Sequence, residues 1–246
     1  GWIALMVWLR PFPALEPALA AMQSDATVTV VESPTQIVMT PTAQASTTGV
    51  FFQPGAKVEA RAYAAILRPL AEAGYTVVIP KQTLGIAFLA MGAFESAKAA
   101  NPQITQWVVG GHSLGGTVAA IDAEQHDLDA QAPVTGLLLY ASYPASDMGE
   151  SLSSAVLSIS GTNDGLATPA DIDASRANLP ASTEFLAVDG AVHAFFGDYG
   201  PQPGSWTTFG AFWATVQEVL PSRGENQADG IRIAERPARV RMRYVP

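Results

Sequence analysis

The chain contains no cysteine and only three histidines, His112, His126 and His193. The absence of thiols excludes a cysteine nucleophile, thiolate metal sites and disulfides, while leaving the redox compartment open. Positive charge is also scarce: 13 Lys and Arg face 22 Asp and Glu, a net charge of -9. Such a balance opposes binding to phosphate backbones, and no basic stripe interleaved with aromatics runs through the body of the chain. Nucleic acid is therefore not an expected partner. The apolar run at the N-terminus, Trp2 to Leu9, closed by Arg10 and Pro11, falls far short of the ~20 residues that cross a bilayer.

What remains is a chain of 246 residues with 48% hydrophobic content, ample for one α/β domain with a sizeable core. Charge divides it unevenly. Residues 1–222 hold seven Lys and Arg against nineteen acids, whereas residues 223–246 hold six Arg against three. Three regions follow: an apolar N-terminal segment over 1–26, a catalytic domain over 27–222, and a basic tail over 223–246. The Trp-rich run suits a membrane interface and is expected to be the remnant of a longer anchor rather than a short packing segment. Arg232, Arg236, Arg239, Arg241 and Arg243 are expected in a solvated extension.

Along the body, strands and helices alternate. A short helix over Ala14–Met22 precedes two antiparallel strands, Thr27–Val31 and Gln36–Thr40, separated by Ser33-Pro34. A strand over Gly49–Phe52 ends at Gln53-Pro54-Gly55-Ala56. Then come a helix over Val58–Ala73 stopped by Gly74, a strand over Tyr75–Ile79 and a helix over Ile86–Ala100. Strands at Gln106–Val109, Val134–Tyr140, Ala155–Ile159 and Thr183–Val188 are interleaved with helices at Leu114–Glu124, Pro169–Ala177 and Phe209–Leu220. Near-continuous apolar strands in βαβ alternation imply a mostly parallel sheet covered by helices on both faces.

The most informative run is Gly110-Gly111-His112-Ser113-Leu114-Gly115-Gly116, placed between the strand Trp107–Val109 and a helix. Gly111 to Gly115 fits G-x-S-x-G, a strained turn that holds a serine hydroxyl clear of a sheet. Glycines two before and two after relieve the crowding of that turn, and the helix start directs free N–H groups and a positive dipole end at the reacting centre. Ser113 is the expected nucleophile.

A serine hydroxyl needs a base, and the base needs a carboxylate to orient it. His112 adjoins the serine on a tight turn where neighbouring side chains diverge, so it reads as structural. His126, among Gln125, Asp127 and Asp129, reads as a solvated helix end. His193 remains, on a loop beyond the last strand, where open α/β sheets keep their chemistry. The carboxylate belongs between Ser113 and His193 in the chain. Asp164, in the loop Gly161-Thr162-Asn163-Asp164-Gly165, fits better than Asp147, Asp171, Asp173 or Asp189. Two backbone donors should face the oxyanion, Leu114 after the nucleophile and Ala56 in the loop after the third strand, with Lys57 the next choice.

These motifs resemble those of the α/β-hydrolase superfamily over about residues 27–204. Phe52-Gln53-Pro54-Gly55, Gly111–Gly116, Gly161–Asp164 and His193 with Phe196-Gly197-Asp198-Tyr199-Gly200 look like successive motifs of a bacterial, dienelactone-hydrolase-like branch of serine esterases. Many of that branch carry an N-terminal membrane anchor. The resemblance implies an α/β-hydrolase fold, ester hydrolysis through an acyl-enzyme, no cofactor or metal, and residence at a bacterial cell envelope or on its extracellular side, with the cytoplasm as the alternative. Monomer is the default state.

Two departures stand out. The segment from Ser205 onward does not look like the usual closing helix followed promptly by a stop, and the Arg-rich extension beyond it is foreign to the family pattern, which suggests a shifted reading frame near Gly204. Only about a dozen residues separate the strands ending at Tyr140 and starting near Ala155, so there is no room for a cap domain. An open cleft lined by Lys81, Leu84, Leu114, Tyr143, Leu166, Phe195 and Phe196 is expected, tolerant of bulky or polymeric esters. The alternatives are a thioesterase or amidase on the same machinery and a silent or binding-only protein. A Rossmann nucleotide site is disfavoured because Gly110–Gly116 lacks G-x-G-x-x-G spacing.

Overall fold

A computed structural model describes residues 10–205. The apolar run Trp2–Leu9, the closing helix expected at Phe209–Leu220, the basic tail and the rest of the chain after Ser205 lie outside the described residues.

Apolar runs become an eight-stranded sheet: β1 Val28–Glu32, β2 Gln36–Pro41, β3 Thr48–Gln53, β4 Thr76–Pro80, β5 Gln106–His112, β6 Val134–Tyr140, β7 Ala155–Gly161 and β8 Glu184–Val188. Their order is β1-β2-β4-β3-β5-β6-β7-β8. β2 runs antiparallel to both β1 and β4, and every pairing from β4 to β8 is parallel. The α-helices are α1 Glu16–Ala21, α2 Ala64–Glu72, α3 Ala93–Ala100, α4 Leu114–His126 and α5 Pro169–Ser175.

The period-2 alternation of the central strands divides the core in two. Val50, Phe52, Val77 and Ile79 join Ala18, Leu67 and Ile172 from α1, α2 and α5 on one face. Phe51, Val78, Val109, Leu137 and Leu139 join Phe94, Ala97, Ala119 and Ala123 from α3 and α4 on the other. Both faces are covered, as the βαβ pattern requires. The Thr168 and Asp171 side chains form a capping box that starts α5.

Three expectations need adjustment. The helix expected over Ile86–Ala100 is α-helical only from Ala93; before it lie two 3-10 turns, Thr83–Gly85 and Ala87–Ala90. Leu84 and Gly85 adopt positive φ, and Gly92 precedes the helix. Phe88, Leu89 and Met91 are exposed, so this apolar run serves no helical core stripe. The helix expected from Val58 begins as a 3-10 turn, Ala60–Tyr63, before α2. His126 does close α4, but it is not solvated. Its side chain is 15% exposed, held by Glu95 at 3.0 Å and set edge-on against Phe94.

The described part of the N-terminal segment packs on the domain. Phe12 bridges to Lys57 and Glu59 through N–H···O bonds of 2.6 and 3.0 Å, and the Leu15 N–H donates to Asp198 O. Among the described residues, no helix is long and apolar enough to cross a membrane.

Candidate active site

β5 ends at His112, α4 begins at Leu114, and Ser113 between them has φ +53° and ψ -127°. That conformation is rare for an L-residue and costs on the order of 1–3 kcal/mol, so the surroundings must enforce it. The Ser113 N–H donates to Tyr140 O at 2.9 Å, and Ser142 Oγ donates to Ser113 O at 2.6 Å. Close backbone approach does the rest. A Cβ on Gly111 would lie 2.4 Å from the Gly115 carbonyl carbon, and one on Gly115 would lie 2.3 Å from both Gln53 O and Pro54 O. The N-terminus of α4 thus sits directly against the loop that leaves β3.

Among the described residues, three further non-glycine positions have positive φ: Lys57, Leu84 and Ala141. They follow β3, β4 and β6, so with Ser113 after β5 each of four neighbouring strands releases its chain into a strained residue at its carboxyl end. Strain of this kind gathers where surrounding structure over-determines the backbone.

Loops beyond β7 and β8 bring in the acid and the imidazole. A Cβ on Gly161 would lie 2.3 Å from Ala191 O, and this contact lets the two loops meet. Asp164 is fully buried. Its Oδ1 accepts the Leu166 and Ala167 N–H groups at 2.8 and 2.9 Å. His193 Nδ1 lies 2.9 Å from Oδ2 and 3.1 Å from Oδ1. A carboxylate accepts, so Nδ1 carries the proton and Nε2 keeps the basic lone pair. That Nε2 is buried and has no hydrogen-bond partner among the described residues, the Ser113 hydroxyl included. Ser205 fixes the start of the His193 turn, its carbonyl accepting the His193 N–H at 3.0 Å and its Oγ the Ala194 N–H at 2.7 Å.

Two backbone donors flank the elbow. Leu114 N–H lies in the first turn of α4, where no intrahelical acceptor exists. In the loop after β3, Pro54 has no N–H, Gly55 N–H is taken by Tyr63 Oη and Lys57 N–H by Gly85 O. Ala56 N–H is the one with no acceptor among the described residues.

His112 is read from the sequence as structural, and it is buried away from the serine, though not away from the site. Its ring centroid is 4.6 Å from that of His193 and 5.9 Å from Phe196, which stacks on it. Burial, then the nearby His193, holds its pKa well below the usual imidazole range. Of the residues expected to line a cleft, Leu84, Tyr143 and Leu166 are exposed by 54%, 37% and 43%, and Leu114 and Phe195 are half-buried. Phe196 is a correction: it is 2% exposed and belongs to the core. Lys81 pairs with Glu32 at 2.6 Å and lines a cleft of about 320 Å³ with Pro11, Arg61, Gln82 and Gly85, to which neither Ser113 nor His193 contributes.

Tyr63, Gln82 and Ser142 escaped sequence reasoning. Their contacts with the site span 8 to 49 residues of chain, and no local pattern marks them. Among the described residues, no cluster of three His, Cys, Asp or Glu could hold a metal ion.

A family model described as the alpha/beta hydrolase family matches residues 49–210. The chain belongs to this family. The matched span runs from β3 through the elbow and both partner loops. Among solved structures, this alpha/beta hydrolase is similar to an alpha-beta serine hydrolase homologue from Coxiella burnetii, at 15% identity and a TM-score of 0.50, over 70% of this chain and 91% of that one. That likeness shows the fold. No curated protein matches the chain.

Proposed function

We propose that this alpha/beta hydrolase is a serine carboxylester hydrolase working through an acyl-enzyme. The observation that carries the proposal is the buried Asp164–His193 pair, whose geometry leaves Nε2 as an unpartnered base beyond a serine in a strained turn. In the reaction, Ser113 Oγ attacks the ester carbonyl carbon as His193 Nε2 takes its proton. The oxyanion is held by the Leu114 and Ala56 N–H groups. Collapse breaks the C–O bond to the alcohol, which leaves with the proton from Nε2. Water then attacks the acyl-enzyme with Nε2 as base, and the acid departs as Ser113 recovers its proton. Asp164 keeps the imidazole in the required tautomer and stabilises the imidazolium.

The segment between β6 and β7 contains no inserted helical layer among the described residues. Exposed Leu84, Tyr143 and Leu166 border the machinery, which favours bulky, uncharged acyl or alcohol groups, polymeric esters included. The motif resemblance further supports placing it among dienelactone-hydrolase-like esterases, tethered at a bacterial envelope by the Trp2–Leu9 run.

Hydrolysis of p-nitrophenyl esters from acetate to palmitate, by wild type and Ser113→Ala, tests the proposal. The expected outcome is serine-dependent turnover without a rate jump at the critical micelle concentration. Turnover of thioesters or anilides in preference to esters would move the assignment to a thioesterase or amidase, and a folded wild type inert toward all three would refute it.

A further inference from the structure

The turn that offers the Ala56 N–H is held from two sides. The Pro54–Gly55 peptide is bonded at both ends: Gln82 Nε2 donates to Pro54 O at 3.0 Å, and the Gly55 N–H donates to Tyr63 Oη at 2.8 Å. The next peptide is bonded through its carbonyl alone, Gly55 O accepting the Val58 N–H at 3.2 Å, which leaves the Ala56 N–H uncommitted. We propose that Tyr63 and Gln82 are positioning residues that clamp this turn and thereby pre-place the Ala56 donor; this rests on the acyl-transfer function proposed above.

Each arm of the clamp is anchored in buried polar structure. Tyr63 has no solvent exposure and one hydroxyl proton. Having accepted the Gly55 N–H, its oxygen donates to His112 Nδ1, 2.8 Å away, which assigns neutral His112 its proton at Nε2. The turn is flush against this pair, since a Cβ on Gly55 would lie 2.6 Å from His112 Nδ1 and 3.0 Å from Tyr63 Oη. Because the His112 ring also lies 4.6 Å from His193, the tyrosine arm backs the turn and the base at once. On the other side, Gln82 Nε2 also donates to Gln53 Oε1 at 3.1 Å, and Gln53 Nε2 donates to Asp122 at 3.4 Å. An oxyanion donor lowers the barrier only when it stands in place before charge develops. Loosening the turn should therefore be felt in the transition state and not in substrate binding.

The test compares wild type, Tyr63→Phe and Gln82→Met by p-nitrophenyl butyrate kinetics, by inhibition with phenylboronic acid, which forms a tetrahedral adduct on the serine, and by the 15N amide resonance of Ala56. Each variant should lose about 10- to 100-fold in kcat with KM within about twofold, and lose boronate affinity by a similar factor. The Ala56 resonance should broaden or shift while that of Leu114 stays put. Wild-type kcat and boronate affinity in both variants would overturn the proposal, as would a lower kcat with an unmoved Ala56 resonance and unchanged boronate affinity. A wild type with no Ser113-dependent turnover, whose Ala56 amide still responds to both variants, would refute the esterase function and leave the clamp standing.

Discussion

Asp164 and Asp122 are both carboxyl groups removed from solvent, 0% and 2% exposed, yet the chain treats them differently. Asp164 is offered three donors, two backbone N–H groups and His193 Nδ1–H. Asp122, on the inner side of α4, is offered one, a long bond of 3.4 Å from Gln53. Burial, opposed by that bond and reinforced by Glu95, pushes the Asp122 carboxyl up to about 7. Asp127, five residues further along the chain, sharpens the contrast. Burial would raise it too, but four hydrogen bonds from Ser153 and Ser154 lower it net. The supply of donors, and not depth alone, separates Asp127, held below the usual carboxylate range, from Asp122, which resists ionisation.

The largest break in this contrast comes from changing what Asp164 can accept. Asp164→Asn offers His193 an amide that can donate, so the imidazole is free to take the wrong tautomer, and kcat on p-nitrophenyl esters should fall by about 10⁴-fold with the fold retained by circular dichroism. A fall of less than about tenfold would mean that Asp164 does not orient the base. Asp127→Ala should destabilise by about 2–4 kcal/mol at pH 7, because the Ser153 and Ser154 N–H groups and the Ser153 hydroxyl lose their acceptor, while the Ser154 hydroxyl keeps Val134 O at 2.7 Å. Since the Asp127 pKa is depressed on folding, its contribution is present above the unfolded value of about 4 and is lost as pH falls through the lower folded one. Urea unfolding at pH 7 and pH 3 should show the gap between wild type and variant closing in acid.

Asp122→Asn carries the opposite sign and the smallest effect. A carboxyl raised to about 7 on folding favours the fold below the unfolded pKa and progressively loses that contribution as pH rises through 7. Asparagine removes the alkaline loss and still accepts from Gln53. The variant should be more stable than wild type by roughly 1–3 kcal/mol at pH 8.5, and level with it near pH 4. Equal stability at both pH values would mean that Asp122 finds donors or water that the buried environment conceals.

How far these distinctions were readable from sequence depends on distance along the chain. The parallel sheet followed from apolar runs separated by turn residues, and the Ser113 elbow from five consecutive residues, because strand, turn and helix chemistry is local. Asp164 and His193 are marked by chain order and by the scarcity of histidine. The Asp122 environment, the Tyr63–His112 pair and the Gln82 contact depend on side chains that meet only when β3, β4, β5 and α4 are assembled. The Ile86–Ala90 segment misled for a related reason. Its apolar residues have a helix-like pattern, but the positive φ of Leu84 and Gly85 and the break at Gly92 prevent a continuous helix, and Phe88 and Leu89 stay exposed.

The strained serine also bears on how such a chain drifts when its chemistry is no longer needed. At φ +53° glycine is the residue that fits without steric cost, so Ser113→Gly relieves strain at the same stroke as it removes the nucleophile. Selection for stability alone would therefore erode the elbow first, and a relative with glycine at this position would mark a lineage that kept the fold and abandoned the reaction.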